Sequence, residues 1–413
     1  IHLGLGSISR LLNRLDNPQE KYGTILIGGT NGKGSTAAMV ASVLRESGFK
    51  VGLYTSPHLS DVRERITVDG SMISCEAMER CIRNVEEERT EDITYFEFLT
   101  AVAFIYFYHL KVDIAVLEVG MGGRLDATNV VDPIVSVVSN VSLEHRAFLG
   151  GSLKAIAFEK GGIIKDKGVL VTAAKQKPVI KVFEDICLKK EAKMLRLGQE
   201  LRVKIKRGGT FSFRGIGREY RDMVCSLKGR HQSENAALAI AAIEIVREKG
   251  YNIDDDAVFR GIQNAQWEGR LEILQKEPMV LVDGAHNPAG ISVLCRALRS
   301  DFKYRRLILI FGVLCDKDWV NMLRKIVPLT DHLIITKPQI ERAMSPEKVE
   351  AIACRYMHHN VECIENSINA LYHAFSLADV HDLICVTGSL FLVGEIKKIF
   401  CASADGRTKR SVS

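Results

Sequence analysis

The stretch "IGGTNGKGST", residues 27–36, decides how the rest of this chain is read. An apolar run, YGTILIGG (22–29), enters it, and a helix-forming run, STAAMVASVLRESG (35–48), leaves it and stops at Gly48. The spelling departs twice from the usual phosphate loop, G-x-x-x-x-G-K-[ST]: Ile27 stands where the first glycine belongs, and Gly34 separates Lys33 from Ser35. The physics survives both changes. Four glycines in ten residues let the backbone turn with its N–H groups inward, where phosphate oxygens are cradled. The helix that follows offers its positive end to the same anion. Asn31, Gly32 and Gly34 supply the loop, Lys33 reaches the outer phosphates, and Ser35 or Thr36 takes phosphate or magnesium. An ordinary strand–helix turn with a chance lysine is the bland alternative, and it accounts for less of the pattern. The loop reads as a nucleotide site.

Working outward, strands and helices alternate. FKVGLYTS (49–56), VDIAVLEVG (112–120) and IVSVVSNV (134–141) read as strands, and YFEFLTAVAFIYFYHL (95–110) as a buried helix. Continuous Val/Ile/Leu runs suit parallel strands covered on both faces. Between about 200 and 230 the texture changes to short strands with Gly-Gly, LRVKIKRGGTFSFRG, a small β insertion, before the helix SENAALAIAAIEIVREKG (233–250). A second α/β series opens near WEGRLEIL (267–274) and continues through MVLVDGAHNPAG, RLILIFGVL, HLIITKP and DLICVTGSLFLVGEI. The expected fold is therefore α/β: a P-loop NTPase-like first domain (1–269) with a mostly parallel sheet and a small β insertion. A smaller Rossmann-like second domain (270–400) follows, and then a frayed tail (401–413).

Composition narrows the class. The chain has 413 residues, too many for one ordinary core, with 46% apolar and 26% charged residues, as in soluble globular proteins. The run from Phe96 to Leu110 is too short to cross a bilayer, and no basic-then-apolar leader precedes the first strand. Ten scattered cysteines without a C-x-x-C pair read as reduced thiols of a cytoplasmic protein. A net charge of +6 is mild, and no basic run is interleaved with aromatics, so small anions are favoured over nucleic acid.

Eight stretches carry a resemblance. GGTNGKGST, GLYTSPHLSDVRERITVDG, TYFEFLT, LEVGMGGRLDATN, LGGSLKAIAFEKGGIIK, GRHQSENAALAI, WEGR and DGAHNPAG occur in this order. Together they make the chain similar to the folylpolyglutamate synthase/dihydrofolate synthase family of the Mur-ligase superfamily, from Leu3 to Gly394. The extra glycine of the loop is that superfamily's own spelling. The resemblance implies an ATP-dependent ligase, and a monomer is expected. It would phosphorylate the carboxylate of dihydropteroate or a reduced folate and let the amine of L-glutamate displace phosphate. Positioning and charge stabilisation would carry the chemistry more than a covalent nucleophile would.

The same resemblance implies the site. Ser56, Glu118 and His145 hold magnesium, a hard cation suited to oxygen ligands. Lys160, as a carbamate, serves a second magnesium ion, and a monovalent cation is compatible with the scheme. The family more often has aspartate where Glu144 stands, and usually alanine where Gly161 stands. Asn235, Arg270 and Asp283 contact ATP, with Arg270 engaging once the domains close. Asp283, His286 and Asn287 receive glutamate, and His286, Lys33 and Lys160 act in the chemistry. Thr94, Tyr95, Phe96, Glu97, Arg124, Leu125, Asp126 and Ala127 receive the pterin. Without the resemblance, each of these residues has an ordinary reading: a rim glutamate, a loop histidine, a surface lysine, core aromatics. Three other functions compete. A uridine-nucleotide Mur ligase carries a whole domain ahead of the loop. A P-loop kinase or GTPase leaves DGAHNP and the second α/β series unexplained. A non-catalytic ATP-binding descendant would be expected to lack Lys33, Glu118 or His145.

Overall fold

The computed structural model describes residues 4–206 and 209–404. Its backbone divides into two compact units, one of residues up to His58 together with Arg63–Trp267, the other of Leu59–Val62 together with Glu268 onward.

In the first unit an eight-stranded sheet runs Ser71–Met72, Ile66–Val68, Val51–Tyr54, Ile114–Glu118, Gly23–Gly28, Val135–Val138, Val169–Thr172, Lys193–Arg196. All pairings from Val51–Tyr54 to Lys193–Arg196 are parallel, and only the two short edge strands are antiparallel. Ile25, Ile27, Val116 and Val137 lie in one buried cluster with Val40 and Leu44 of the helix Lys33–Glu46 and Leu238 of the helix His231–Glu248. That is why the strands read as unbroken apolar runs. The strand that feeds the glycine loop is central, so the loop emerges at the carboxyl edge with neighbours on both sides. Open α/β sheets place ligands there.

The expected β insertion is a separate three-stranded antiparallel sheet, Glu219–Val224, Thr210–Arg214 and Arg202–Ile205. Part of its Gly-Gly turn, residues 207–208, lies outside the described residues. Two helices absent from the sequence reading frame the start of the unit: Gly6–Arg14, and Cys75–Glu88 with Ser74 as its N-cap.

The second unit holds a six-stranded sheet in the order Glu272–Lys276, Met279–Asp283, Leu383–Thr387, Leu307–Phe311, His332–Lys337, Val361–Asn366, parallel except for its first strand. The segment Leu59–Val62 belongs here, although the sequence reading assigns all of 1–269 to the first domain. Ser60 Oγ donates to the Gly394 carbonyl at 3.2 Å. A Cβ on Gly394 would stand 2.0 Å from the Leu59 carbonyl oxygen, so only glycine fits beneath this segment. The last helix, Leu390–Ala404, runs past the residue 400 taken as the end of the domain. Of the expected frayed tail, residues 405–413 lie outside the described residues. Among the described residues no helix is long and apolar enough to cross a membrane.

Candidate active site

The glycine loop is held by its neighbours. Gly29 (φ +131°) and Gly32 (φ +84°) occupy backbone that favours glycine, and crowding reinforces the choice. A Cβ on Gly29 would lie 2.0 Å from Ser139 Oγ, and one on Gly32 2.5 Å from Asn235 Oδ1. Ser139 Oγ and Asn140 Nδ2 donate to the Asn31 carbonyl at 2.7 and 2.9 Å, while Asn31 N donates to Asn140 Oδ1 at 3.0 Å. The helix that starts at Lys33 has no side-chain cap at Gly32, so its first amides keep their affinity for an anion. Lys33 Nζ donates to the Thr30 carbonyl at 3.3 Å. Ser35 receives a hydrogen bond from Gln232 Nε2 at 3.4 Å, and Asn235 Nδ2 donates to Gln232 Oε1 at 2.8 Å. Thr36 Oγ1 is buried with no hydrogen-bond partner among the described residues.

Gly34, the residue that spoils the usual loop spelling, lies against the Trp267 indole. A Cβ there would stand 2.4 Å from Trp267 Cζ2. The extra glycine is thus a packing requirement of the helix's first turn.

Beside the loop, Glu118 ends its strand in register with Ile27 and is buried. Its Oε2 accepts from Ser56 N at 3.1 Å, so these two predicted metal ligands meet. His145 follows the neighbouring strand with φ +44°, strained for a non-glycine residue.

Lys160 is 2% exposed, and its Nζ donates to the Gly29 carbonyl and to Glu144 Oε1, both at 2.8 Å. Burial would raise the Glu144 carboxyl, but the Lys160 and Lys33 ammonium groups, with the hydrogen bond from Lys160, hold it at about 2. Burial pulls Lys160 the other way, below the ordinary lysine value, with Glu144 opposing. The short contact decides between these directions: the pair is ionic, with Glu144 anionic. The expected metal role of Lys160 belongs to its carbamate; the unmodified ammonium group is paired with Glu144 and the Gly29 carbonyl. Glu144, noted only as a departure from the family, is its partner.

The predicted pterin residues separate into two groups. Thr94 and Glu97 form a capping box on the helix Tyr95–His109, with Thr94 N and Oγ1 each donating to Glu97 Oε2 at 2.8 Å. Asp126 is buried and accepts from Met121 N, Thr128 N and Thr128 Oγ1, and burial pushes its carboxyl up. Ala127 is buried as well. These four side chains build the loop and the helix start, a use that sequence reasoning missed. Tyr95 is exposed under the Arg65 guanidinium, whose carbon lies 5.9 Å from the ring centroid. Phe96 packs on Tyr54 and covers Gly120, two residues beyond Glu118. Leu125 is half-buried, and Arg124 is paired with Glu159 at 2.9 Å.

In the second unit, Asp283 is buried at its strand end and accepts from Leu271 N and Ala285 N, each at 3.0 Å. Burial raises its carboxyl, with the Arg270 guanidinium opposing. The predicted residues Arg270 and Asp283 are thus electrostatically coupled. His286 Nδ1 lies 2.8 Å from the Gly284 carbonyl, which fixes the ring. Asn287 caps the helix Pro288–Ser300 through Oδ1 and Gly290 N at 2.8 Å.

Comparison with known proteins agrees with this layout. Residues 27–243 match the Mur ligase middle domain, and residues 269–390 match the Mur ligase glutamate ligase domain. A dihydrofolate synthase/folylpolyglutamate synthase of Bacillus subtilis is 34% identical over 410 residues, covering 96% of this chain and 94% of that protein. A probable bifunctional folylpolyglutamate synthase/dihydropteroate synthase of Haloferax volcanii is 37% identical over 99% of this chain, which spans only 50% of that relative. The Mycobacterium tuberculosis folylpolyglutamate synthase complexed with ADP superposes with a TM-score of 0.90 at 34% identity, covering 99% of this chain and 95% of that one. A bifunctional folylpolyglutamate synthase/dihydrofolate synthase with Mn, AMPPNP and L-glutamate bound superposes at 0.88 with 26% identity, covering 97% and 95%.

Proposed function

The chain belongs to the folylpolyglutamate synthase/dihydrofolate synthase family of the Mur ligases, and from that premise we propose that it joins L-glutamate to a pterin-linked carboxylate at the expense of ATP. The acceptors are dihydropteroate and the γ-carboxylate of a reduced folate. The observation that carries the reading is the loop Gly29–Gly32, locked by Ser139 and Asn140 and opening an uncapped helix at Lys33. Such a loop grips polyphosphate through backbone N–H groups before any side chain contributes.

A carboxylate oxygen of the acceptor attacks the terminal phosphorus of ATP. The new O–P bond forms as the bond to the ADP oxygen breaks. The glutamate amine then attacks the acyl carbon, the C–N bond forms, and phosphate departs. Lys33 and the loop amides hold the phosphates and offset the growing charge. Thr36, whose buried hydroxyl has no partner among the described residues, gains one in a phosphate oxygen or a metal ion. Asn235, wedged against Gly32, extends the nucleotide site. Arg270 and Asp283 are further ATP contacts in this reading. His286 orients glutamate or the acyl phosphate, and Asn287 supports it as the cap of the next helix.

The donor set beside the loop fits a hard divalent cation: the buried Glu118 carboxylate, the Ser56 hydroxyl and the His145 imidazole. When bound, magnesium neutralises phosphate charge. Unmodified Lys160 would meet phosphate as a cation by leaving its contact with Glu144. Service on a second magnesium ion requires its carbamylation, which reverses its charge and displaces Glu144. Tyr95, Phe96, Arg124 and Leu125 form the pterin side. The nine described cysteines are all unpaired, in keeping with a cytoplasmic enzyme.

The test is ADP release by the purified protein with dihydropteroate or tetrahydrofolate, each with and without L-glutamate and magnesium. The reading requires release that depends on acceptor, glutamate and metal together. ADP release indifferent to acceptor and glutamate would contradict it.

A further inference from the structure

Away from the residues used above, two histidines and a glutamate from three separate elements converge. His332 opens the strand His332–Lys337, Glu362 lies on the neighbouring strand Val361–Asn366, and His373 lies on the helix Ser367–Leu377. Register explains the meeting. Ile334 pairs with Glu362, so His332, two residues before Ile334, points to the same face of the sheet as Glu362. Ile334 is buried in one cluster with Ala370, Leu371 and Ala374 of that helix, which brings His373 over the same face.

His332 Nε2 lies 2.7 Å from Glu362 Oε1, and His373 Nε2 lies 2.7 Å from Glu362 Oε2. One ligand atom from each of the three residues falls within 4.8 Å of the others. A plain ion pair would use one histidine. Here the second, His373 Nε2, is buried without an aligned hydrogen-bond partner despite its closeness to the carboxylate. A buried nitrogen left so is unfavourable, and one cation between the three groups satisfies all of them.

We propose that His332, Glu362 and His373 form a binding site for a divalent transition metal of the zinc class, which fastens the helix Ser367–Leu377 to the two outer strands of the sheet. Two imidazole nitrogens and one carboxylate are the ligand set of a three-residue zinc site with a fourth position for water. Side-chain exposures of 17, 40 and 33% for His332, Glu362 and His373 put the cluster near the surface, where water is at hand as the fourth ligand. Tetrahedral zinc separates its donors by about 3.4 Å, so seating it asks the three side chains to open from their 2.7 Å contacts. Magnesium, which demands six oxygens or nearly so, is not its ion. The site sits at the amino end of its strand, whereas Asp283 ends a parallel strand of the same sheet. It is therefore structural and stands apart from the glutamate residues.

The full chain, stripped with chelator, is dialysed against zinc in the presence of excess magnesium, which fills the oxygen-rich site beside the loop. The expected result is one zinc per chain by metal analysis, a raised Tm, and a visible absorption band of tetrahedral type when cobalt replaces zinc. His373→Asn, on the partly exposed helix, and Glu362→Gln should each lower zinc affinity by more than the ~10–100-fold that loss of a merely supporting group produces. Both variants should keep wild-type ADP release, which separates this outcome from a failure of the ligase reading. Absence of bound zinc at one per chain, or equal retention by both variants, would overturn the proposal.

Discussion

Gly34→Ala is the sharpest test of how this loop is built. The added methyl carbon would lie 2.4, 2.8 and 3.0 Å from Trp267 Cζ2, Cε2 and Nε1, where ordinary contacts begin at 3.4 Å. The indole is rigid, so ring or helix must retreat by about 1 Å. Overpacking of that size costs ~1–3 kcal/mol. Alanine returns up to ~1 kcal/mol through helix propensity, which leaves a net loss of roughly 0–2 kcal/mol in stability. The effect on turnover is larger, because the helix carries Lys33, Ser35 and Thr36, and a misplacement of ~1 Å can cost ~100-fold in rate. The assay pairs Tm with kcat/KM for ATP from ADP release. Trp267→Ala in the Gly34→Ala background should restore part of the lost turnover by making room. Wild-type kinetics in the single variant, or no recovery in the double, would refute the packing argument.

Lys33→Ala should lower turnover by ~100–1,000-fold, the loss expected for a group that stabilises transition-state charge, with Tm unchanged. Glu118→Gln keeps an acceptor for Ser56 N and so keeps the fold, but it should shift the magnesium dependence of ADP release to higher concentration. Asp382 is buried and accepts from Arg305 Nε at 3.1 Å, Arg306 Nη2 at 2.6 Å and Asp379 N at 2.9 Å. Burial opposes ionisation there, but the two guanidinium groups and the amide hold the carboxyl well below its ordinary value. A depressed carboxyl contributes stability that is full above its ordinary pKa near 4 and is lost as pH falls below it. Asp382→Asn should therefore lose ~1–3 kcal/mol at neutral pH, nearer the low end because both arginines are half exposed. Acid titration of Tm should then show a flatter profile than wild type.

The central strands of the two large sheets were legible because a parallel strand buried on two faces must be apolar throughout, as ILI at 25–27 and LILIF at 307–311 are, whereas Val169–Thr172, Lys193–Arg196 and Val361–Asn366 nearer the edges were not read. The glycine loop was legible because its chemistry is local. What escaped the reading depends on distant partners. Nothing within a few residues of Gly34 points to Trp267, and nothing near Lys160 points to Glu144, since each meeting is made by the sheet. Thr94, Glu97 and Asp126 show the converse. Their motif is real, but a cap and a loop brace use the same oxygen chemistry that a ligand would. The helix Cys75–Glu88 carried its signal in Ala77, Met78, Cys81 and Val85, all buried, beneath a run of charged residues that drew the eye away. His332, Glu362 and His373 share no motif, and parallel strand register alone makes them neighbours.

The segment Leu59–Val62 gives the chain an unusual connectivity. Because it belongs to the second unit while both its flanks belong to the first, the polypeptide passes from one to the other three times. No single cut yields two intact halves. A fragment beginning at residue 268 would leave Gly394 and Gly269 without the leucine that covers them, and a fragment ending at residue 267 would carry that leucine with nothing to cover. Dissecting this enzyme by truncation would thus report on the damage of the cut, and a faithful separation calls for a circularly permuted gene or a supplied peptide.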